Sequence, residues 1–214
     1  MRSLDLSYND LSDINSDLLA ETVNLLEEVA IHVTNLDLYQ VNKILGKLSK
    51  RSRLKCLNIS GDLRPIDPSI IASSFTNLEK IILRSEKTLL SSLAMKELFN
   101  KIASPESKLK ELDLQCRDLS RIDPCILAKA VNNLRVANIM DTLLSDQQIQ
   151  SIFDEVSEGA TKLRYLDIRG SDLRILDKQI YIRAKQKIDF IFHSLDDGLE
   201  NFIVAERVFG NIRR

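Results

Sequence analysis

The chain of 214 residues carries 44% apolar and 29% charged side chains, a composition typical of a globular protein with a substantial apolar core. Its net charge of −1 argues against nucleic acid and against an anionic membrane as the main partner, because both favour a basic excess. No apolar run reaches the length of about 18 residues that a membrane-spanning helix requires. Three cysteines without a CxxC pair argue against a zinc site and favour a reducing compartment, which we take to be the cytoplasm.

A short apolar motif recurs along the chain with a period of about 54 residues. Its odd copies run from Leu4-Asp5-Leu6 to Leu166-Asp167-Ile168, and an even copy lies between each successive pair. Seven units result, and their starts are separated by 25, 28, 24, 31, 25 and 29 residues. This pattern predicts a solenoid, in which each unit buries its apolar face only by stacking on its neighbours. Because the motif is already under way at Leu4, we expect the chain to be a fragment of a longer protein.

Every unit is predicted to contain a strand and a helix joined by loops. The strand motif has apolar residues at its first, fourth and sixth places, so the fourth and sixth point into the core and the third, fifth and seventh point outward. Pro68 and Pro124 suit the first position of a helix, and Gln40 and Gln148 are placed to complete capping boxes. The expected helix N-caps are Asn15, Asp37, Asp67, Ser91, Asp123, Ser145 and Asp177.

Strands of the form LxxLxL, each followed by a helix and alternating between two flavours, resemble leucine-rich repeats of the ribonuclease-inhibitor type. The resemblance covers about residues 1–190. It implies an α/β right-handed solenoid, or horseshoe, with parallel strands on its concave face and helices on its convex face. We place seven half-repeats in residues 1–177. Similar repeats form the sensor regions of NOD-like receptors, so the resemblance also implies protein binding, as in the ligand-sensing part of a larger receptor, and a role in innate immunity. The glycine and cysteine common in the helices of those receptors are absent here, so we do not assign the chain to them.

The loops after the strands depart from this family. The family usually has Asn or Cys three residues after the last strand leucine, where the side chain satisfies loop backbone groups. Only Asn9 conforms to that rule in this sequence. We therefore expect the recurrent Asp10, Asp118 and Asp172 to accept local hydrogen bonds in these turns.

Residues 178–214 are predicted to form a C-terminal helical cap or tail. Ile180, Ala184, Ile188, Ile191 and Leu195 follow one helical stripe, and a second helix is indicated after Gly198. A cap would cover the last repeat, whereas a partner-binding or oligomerising helix is the other reading of this segment. No comparable cap precedes the first strand, so its open edge is expected to allow dimerisation through strand pairing.

The sequence offers few groups for chemistry, so we expect no enzyme activity, catalytic residue, cofactor or metal. Phosphate-binding loops, HExxH and GxSxG are absent from the sequence. His32 and His193 are both expected to face solvent, and Cys56 has no neighbour that would obviously lower its thiol pKa. Asp5, Asn58, Asp113 and Asp167 occupy alternate strands about 10 Å apart, which is too far for a shared metal and predicts a solvated column.

The outward side chains of the strands are the expected partner-binding surface. Ile82, Val136, Met140 and Tyr165 place apolar groups on a face that should otherwise be polar, a pattern typical of interaction sites. The alternative is that these residues only pack sideways against neighbouring strands. The candidate binding residues are Glu28, His32, Lys80, Ile82, Arg84, Glu111, Gln115, Val136, Met140, Tyr165 and Arg169.

Two functions follow from the resemblance. The first is a non-catalytic recognition or scaffold module that binds a protein partner, rather than nucleic acid or membrane, through its concave face. The second is a regulator that inhibits or activates a partner enzyme, such as a ribonuclease or a small GTPase. We favour the first, because the chain has neither the strongly acidic face expected of an inhibitor of basic ribonucleases nor an acidic tail.

Overall fold

Strands and helices alternate along the chain in the computed structural model, which describes residues 2–48, 52–83, 89–115 and 117–193. The strands are β1 (Ser3–Asp5), β2 (Glu28–Ile31), β3 (Cys56–Ile59), β4 (Lys80–Ile82), β5 (Glu111–Asp113), β6 (Val136–Asn138), β7 (Tyr165–Asp167) and β8 (Phe190–Phe192). The helices are α1 (Ser16–Leu25), α2 (Leu38–Lys47), α3 (Pro68–Thr76), α4 (Ser92–Ile102), α5 (Pro124–Asn133), α6 (Asp146–Glu158) and α7 (Lys178–Lys187), and a 3-10 turn covers Leu173–Ile175. None of the helices in these described ranges is long and apolar enough to cross a bilayer.

The described strands form one sheet of eight, in which each strand pairs in parallel with the next in chain order. The register aligns equivalent places of the motif, so that Ser3, Glu28, Cys56 and Lys80 are successive neighbours across the sheet. Each helix is the crossover between two neighbouring parallel strands. The predicted α/β class and parallel strand arrangement are therefore confirmed.

The core lies between the helices and one face of the sheet. At the fourth and sixth places of β3, Leu57 and Ile59 are both fully buried, as the motif predicts. The helices contribute apolar stripes such as Ile44 and Leu45 on α2, and all these side chains belong to one continuous cluster. Neighbouring helices also contact each other along the chain, so each unit completes its core with residues of the next.

The helices begin where their capping residues predict. Asn15, Asp37, Asp67, Ser91, Asp123, Ser145 and Asp177 each accept hydrogen bonds from the first backbone N–H groups of the helix that follows. Pro68 and Pro124 occupy the first helical turn of α3 and α5, where a missing N–H costs nothing. Both capping boxes, at the starts of α2 and α6, are formed.

The glutamine of each capping box also ties two units together. The side-chain amide of Gln148 donates to the carbonyl oxygens of Leu119 and Ile122 at 2.7 Å each, in the loop of the preceding unit. Gln40 makes the same connection from α2, donating to Leu11 O at 2.9 Å and Ile14 O at 2.8 Å. Both glutamines are buried, so these bonds satisfy loop carbonyls that water does not reach.

Helix C-termini are satisfied by side chains of the following unit in the same way. The hydroxyl of Ser74 donates to Leu45 O at 2.8 Å, and the amide of Asn133 donates to Ala103 O at 3.0 Å. The ammonium of Lys187 donates to Gly159 O at 2.7 Å, where a cation also suits the negative end of α6.

The loops after the strands use the aspartates expected of them. Asp10, Asp118 and Asp172 each accept a hydrogen bond from the backbone N–H two residues later, at 3.0, 2.9 and 3.0 Å respectively. Thr34 and Thr142 stand where the family has Asn or Cys, and each hydroxyl donates to the carbonyl of the sixth strand residue of its own unit. These turns are therefore closed locally, as the departure from the family pattern predicts.

The C-terminal region differs from its prediction. The helix expected to continue along one stripe ends at Lys187, and Phe190–Phe192 forms β8 beside β7. Ile188 and Ile191 thus hold the first and fourth places of an eighth strand motif, and His193 takes the sixth place usually held by Leu or Ile. The polar residue at that place hid the motif from sequence analysis. Leu195 and the predicted second helix lie outside the described residues.

Replacing Gln148 with Ala should lower the free energy of unfolding by about 1–3 kcal/mol, because the Ile122 carbonyl would lose its side-chain donor and the Leu119 carbonyl would keep only the N–H of Ile122. Gln147→Ala on the same helix is the matched control, since Gln147 is exposed and its loss should cost less than about 0.5 kcal/mol. Urea unfolding followed by circular dichroism measures both. Equal effects of the two substitutions would contradict the role of Gln148 as a clamp between units.

Candidate binding face

The open face of the sheet is defined here by the third, fifth and seventh places of the strand motif, which point away from the helices. It carries all the candidate binding residues except Arg84, which lies outside the described residues. The register of the sheet places the others in three columns that run across the strands, one column for each place of the motif.

Two apolar candidates on the open face are not exposed. Ile82 is 1% and Val136 6% accessible, although neither belongs to the core cluster between the sheet and the helices. Ile82 is flanked in register by Asn58 and Asp113, and Val136 is flanked by Glu111 and Tyr165. The expectation that both residues are exposed is therefore wrong, because neighbouring strands only about 4.8 Å apart cover them sideways.

The fifth-place polar column is also more buried than predicted. Asp113 and Asp167 are at most 4% accessible, so the prediction of a solvated column is wrong for these two members, whereas Asp5 is exposed and Asn58 is half-buried. Asn138, at the same place of β6, is also buried. Asp5, Asn138 and Asp167 accept a hydrogen bond from the backbone N–H two residues later, at 2.9, 3.2 and 3.3 Å. This column therefore ends strands with local turns, and among the described residues no group of three potential metal ligands was found.

Charged candidates on the open face are paired with each other. The ammonium of Lys80 lies 2.8 Å from a carboxylate oxygen of Glu111, its neighbour across the sheet, and both side chains are about one-quarter to one-third exposed. Glu28 is exposed at the same place of β2, and Gln115 is half-buried at the seventh place after β5. Together with Cys56, the three charged residues line a depression of about 380 Å³ over β1–β5.

Arg169 forms an ion pair with the buried carboxylate of Asp167. Its guanidinium donates to the two oxygens of Asp167 at 2.9 and 2.5 Å, and the Asp167 side chain is fully buried while that of Arg169 is 30% exposed. A charge removed from water is stable only when it is paired and hydrogen-bonded. Arg169 is thus needed for the fold as well as being available on the open face.

An aromatic pair occupies the open face at its C-terminal end. The rings of Tyr165 on β7 and Phe190 on β8 are stacked, with centroids 5.4 Å apart and planes 8° from parallel. Phe190 is 37% exposed, Tyr165 is partly exposed, and Met140 is half-buried on the neighbouring unit. The sequence analysis missed Phe190 because it assigned this segment to a helix. The Ile188-x-x-Ile191 spacing is the signal that would have placed it on a strand.

His32 lies at the opposite end of the open face and is half-buried. Its ring meets the ring of Tyr8 edge-on, with centroids 5.5 Å apart. Burial lowers the pKa of His32, and the nearby carboxylate of Asp5 opposes that shift. Hydrogen bonds from the side chain and then the backbone of Ser7 hold the pKa of Asp5 below its usual value. This corner is polar and compact, unlike the aromatic end.

His193 and Cys56, the other two residues considered for chemistry, are both at least partly buried. His193 is buried, not solvent-facing as predicted, and its Nε2 atom lies 2.9 Å from the hydroxyl of Tyr181 on α7. Burial raises the pKa of the Cys56 thiol to about 11, a shift that nearby Lys80 opposes and that Glu28 and Glu111 increase. A thiol with this pKa is almost entirely protonated at neutral pH and is a poor nucleophile.

Comparisons with models of known protein families and with curated proteins find no match for this chain. Its function is therefore inferred from the residues of the open face. The polar end of that face, over β1–β5, satisfies its own charges through pairs such as Lys80 with Glu111. The aromatic end, over β6–β8, exposes apolar surface that no such pairing explains.

Cys56 should resist alkylation by iodoacetamide at about pH 8 in the folded protein, because its thiol is protonated and burial hinders access. Cys125 is exposed on α5 and should be modified under the same conditions. Peptide mapping by mass spectrometry reports the two sites separately. Unfolding in guanidinium chloride should equalise the rates, whereas equal rates in the native protein would contradict the burial of Cys56.

Replacing Arg169 with Leu should lower the free energy of unfolding by about 2–3 kcal/mol, because the buried Asp167 would lose its cation. The double substitution Asp167→Asn with Arg169→Leu should recover part of that loss, since no buried charge remains. Arg174→Leu is the matched control, because Arg174 pairs with Asp172 at the same sequence spacing in an exposed turn. Urea unfolding of all three variants tests this, and equal losses for Arg169→Leu and Arg174→Leu would contradict it.

Proposed function

We propose that the chain is a leucine-rich-repeat solenoid of the ribonuclease-inhibitor type and acts as a non-catalytic module that binds a protein partner through its open face. In this proposal the open face is the concave face of the horseshoe. The observation that carries the binding role is the stacked pair of Tyr165 and Phe190, which exposes aromatic surface at the C-terminal end of the sheet face. Aromatic side chains of this kind anchor many protein interfaces.

The repeat assignment is supported by how the units share their interior. Each strand pairs only with the next strand in chain order, and one apolar cluster runs through the described units. The side chains of Gln40, Ser74, Asn133 and Lys187 each complete the backbone hydrogen bonds of the preceding unit. Such nearest-neighbour dependence is the physical basis of repeat proteins.

A binding role is favoured over catalysis by the state of the reactive groups. The thiol of Cys56 has a raised pKa, and the ring of His193 is buried against Tyr181. The ring of His32 is half-buried and meets the ring of Tyr8 edge-on. Cys56 and Cys125 are free thiols, in keeping with our proposal of a reducing, cytoplasmic compartment. Dimerisation through the edge of β1 stays a prediction.

The double substitution Tyr165→Ala with Phe190→Ala should weaken partner binding by about 30-fold or more, because paired aromatic anchors often contribute 2 kcal/mol or more. Affinity capture from a lysate of the source organism, with quantitative mass spectrometry of the eluates, measures this. Arg169 is kept intact in this variant so that the buried Asp167 stays paired.

Leu18→Ala with Leu25→Ala is the matched control, because these two side chains are 62% and 64% exposed on α1, away from the open face. The control should retain every partner that the parent chain retains. Thermal unfolding of both variants must first establish that they are folded. If the aromatic variant retains the same partners as the parent chain, the open face is not the binding site.

A further inference from the structure

The second place of the strand motif, one residue before the third place, is charged in every unit. These residues form a column that runs across the sheet at the end where the strands begin. Backbone hydrogen bonds link these residues in order, as when Lys110 N donates to Glu79 O at 2.8 Å and Arg164 N donates to Arg135 O at 2.9 Å. Neighbouring members of the column are thus one strand spacing apart, or about 4.8 Å. In chain order the column reads Arg2, Glu27, Lys55, Glu79, Lys110, Arg135, Arg164 and Asp189.

The signs in this column alternate over its first half. Glu27 lies between Arg2 and Lys55, with nitrogen-to-oxygen distances of 3.6 and 4.0 Å. The ammonium nitrogen of Lys110 lies 2.7 Å from a carboxylate oxygen of Glu79, and this hydrogen bond lowers the pKa of Glu79. Opposite charges directly across neighbouring strands stabilise a sheet, so the alternation is explained by the fold alone.

The alternation breaks at β5, β6 and β7. Lys110, Arg135 and Arg164 follow one another with no acid between them, and exposed Lys162 lies beside Arg164. These four cations, the basic edge, border an open depression of about 430 Å³ that is also lined by Asn133, Tyr165 and Asp189. Arg135 and Lys162 form no ion pair with any residue in the described ranges, and Arg164 reaches Asp189 only at 3.8 Å.

Like charges on adjacent strands are unfavourable, and Arg135 lies between two cations in the column, so cross-strand pairing does not explain its charge. An anionic partner would bind these cations and offset the repulsion between them. The edge adjoins the aromatic end of the open face, since Arg164 directly precedes Tyr165 and the same depression borders both. Cations and exposed aromatic rings are therefore presented together.

We propose that the partner presents a short acidic segment, whose carboxylates lie on the basic edge while an adjacent apolar side chain packs on the rings of Tyr165 and Phe190. This inference rests on the proposed function, because it names the chemistry of the partner at the same face. Arginine is suited to the role, since its planar guanidinium binds a carboxylate through two hydrogen bonds.

A short acidic segment fits better than a long polyanion such as nucleic acid. Glu79 and Asp189 bound the basic edge on both sides within the same column, which leaves room for about two strand spacings, or roughly 10 Å, of negative charge. A polynucleotide that continued past either end would meet a carboxylate. The net charge of −1 for the whole chain also gives little attraction beyond the edge itself.

The test is selection of random peptides of about 12 residues on the folded parent chain, compared with Arg135→Glu/Arg164→Glu. The parent should enrich peptides rich in Asp and Glu with an aromatic or aliphatic residue, and the charge-reversed variant should not. A synthetic selected peptide should bind the variant about tenfold or more weakly, and its affinity for the parent should fall when salt rises from about 0.05 to 0.5 M. The same peptide with Gln in place of Glu should also bind the parent weakly.

Lys96→Glu/Lys129→Glu is the matched control, because it changes the net charge equally at exposed positions on α4 and α5. It should bind the selected peptide as the parent does. Selected peptides without an acidic bias, or equal binding by both charge-reversed variants, would overturn the inference while leaving binding at the aromatic pair intact. Stronger competition by single-stranded oligothymidine than by the peptide would also overturn it. If the parent enriches no peptide at all, the inference fails, whereas the proposed function is decided separately by the affinity capture with the Tyr165 and Phe190 variant.

Discussion

The rest of the structure depends on apolar side chains that no unit buries by itself. Each strand motif supplies two inward residues, such as Leu57 and Ile59, and each helix supplies a stripe, such as Ile44 and Leu45. These side chains are removed from water only because the next strand pairs with theirs in register and the next helix packs against them. The parallel order of the sheet, the crossover helices and the position of the open face all follow from this constraint.

Stacking of units also buries carbonyl groups of loops and helix ends, and these groups then need hydrogen-bond donors other than water. Side chains from the following unit supply them, and Gln148 is the clearest case because it caps its own helix and binds two carbonyls of the preceding loop. The ammonium of Lys187 likewise donates to the carbonyl oxygens of Ser157 and Gly159 at the C-terminal end of α6. These bonds supply partners for backbone carbonyls that stacking removes from water.

The open face divides into two ends with different demands. Over β1–β5 the charges of Lys80 and Glu111 satisfy each other, and Ile82 is covered by its neighbours. Over β6–β8, Tyr165 and Phe190 expose stacked rings, and the depression beside Tyr165 is lined by four cations and by one acid, Asp189. Surface groups that satisfy each other need no partner, whereas exposed rings and adjacent like charges gain from one. That contrast directs both proposals to the same end of the molecule.

The sequence by itself determined the alternation of strands and helices, the helix starts at residues such as Asp67 and Ser145, and the inward places of the motif, because local periodicity and capping are short-range effects. It also placed Tyr165 and Arg169 on the outward face. Only the tertiary structure decided which outward residues are exposed: Ile82, Val136 and Asp167 are buried by neighbours from other units. It likewise decided that Phe190 joins Tyr165, since a strand of three residues with His193 at a core place carries too weak a local signal. Strand pairing across 25 residues, from Tyr165 to Phe190, supplies the contacts that local sequence lacks.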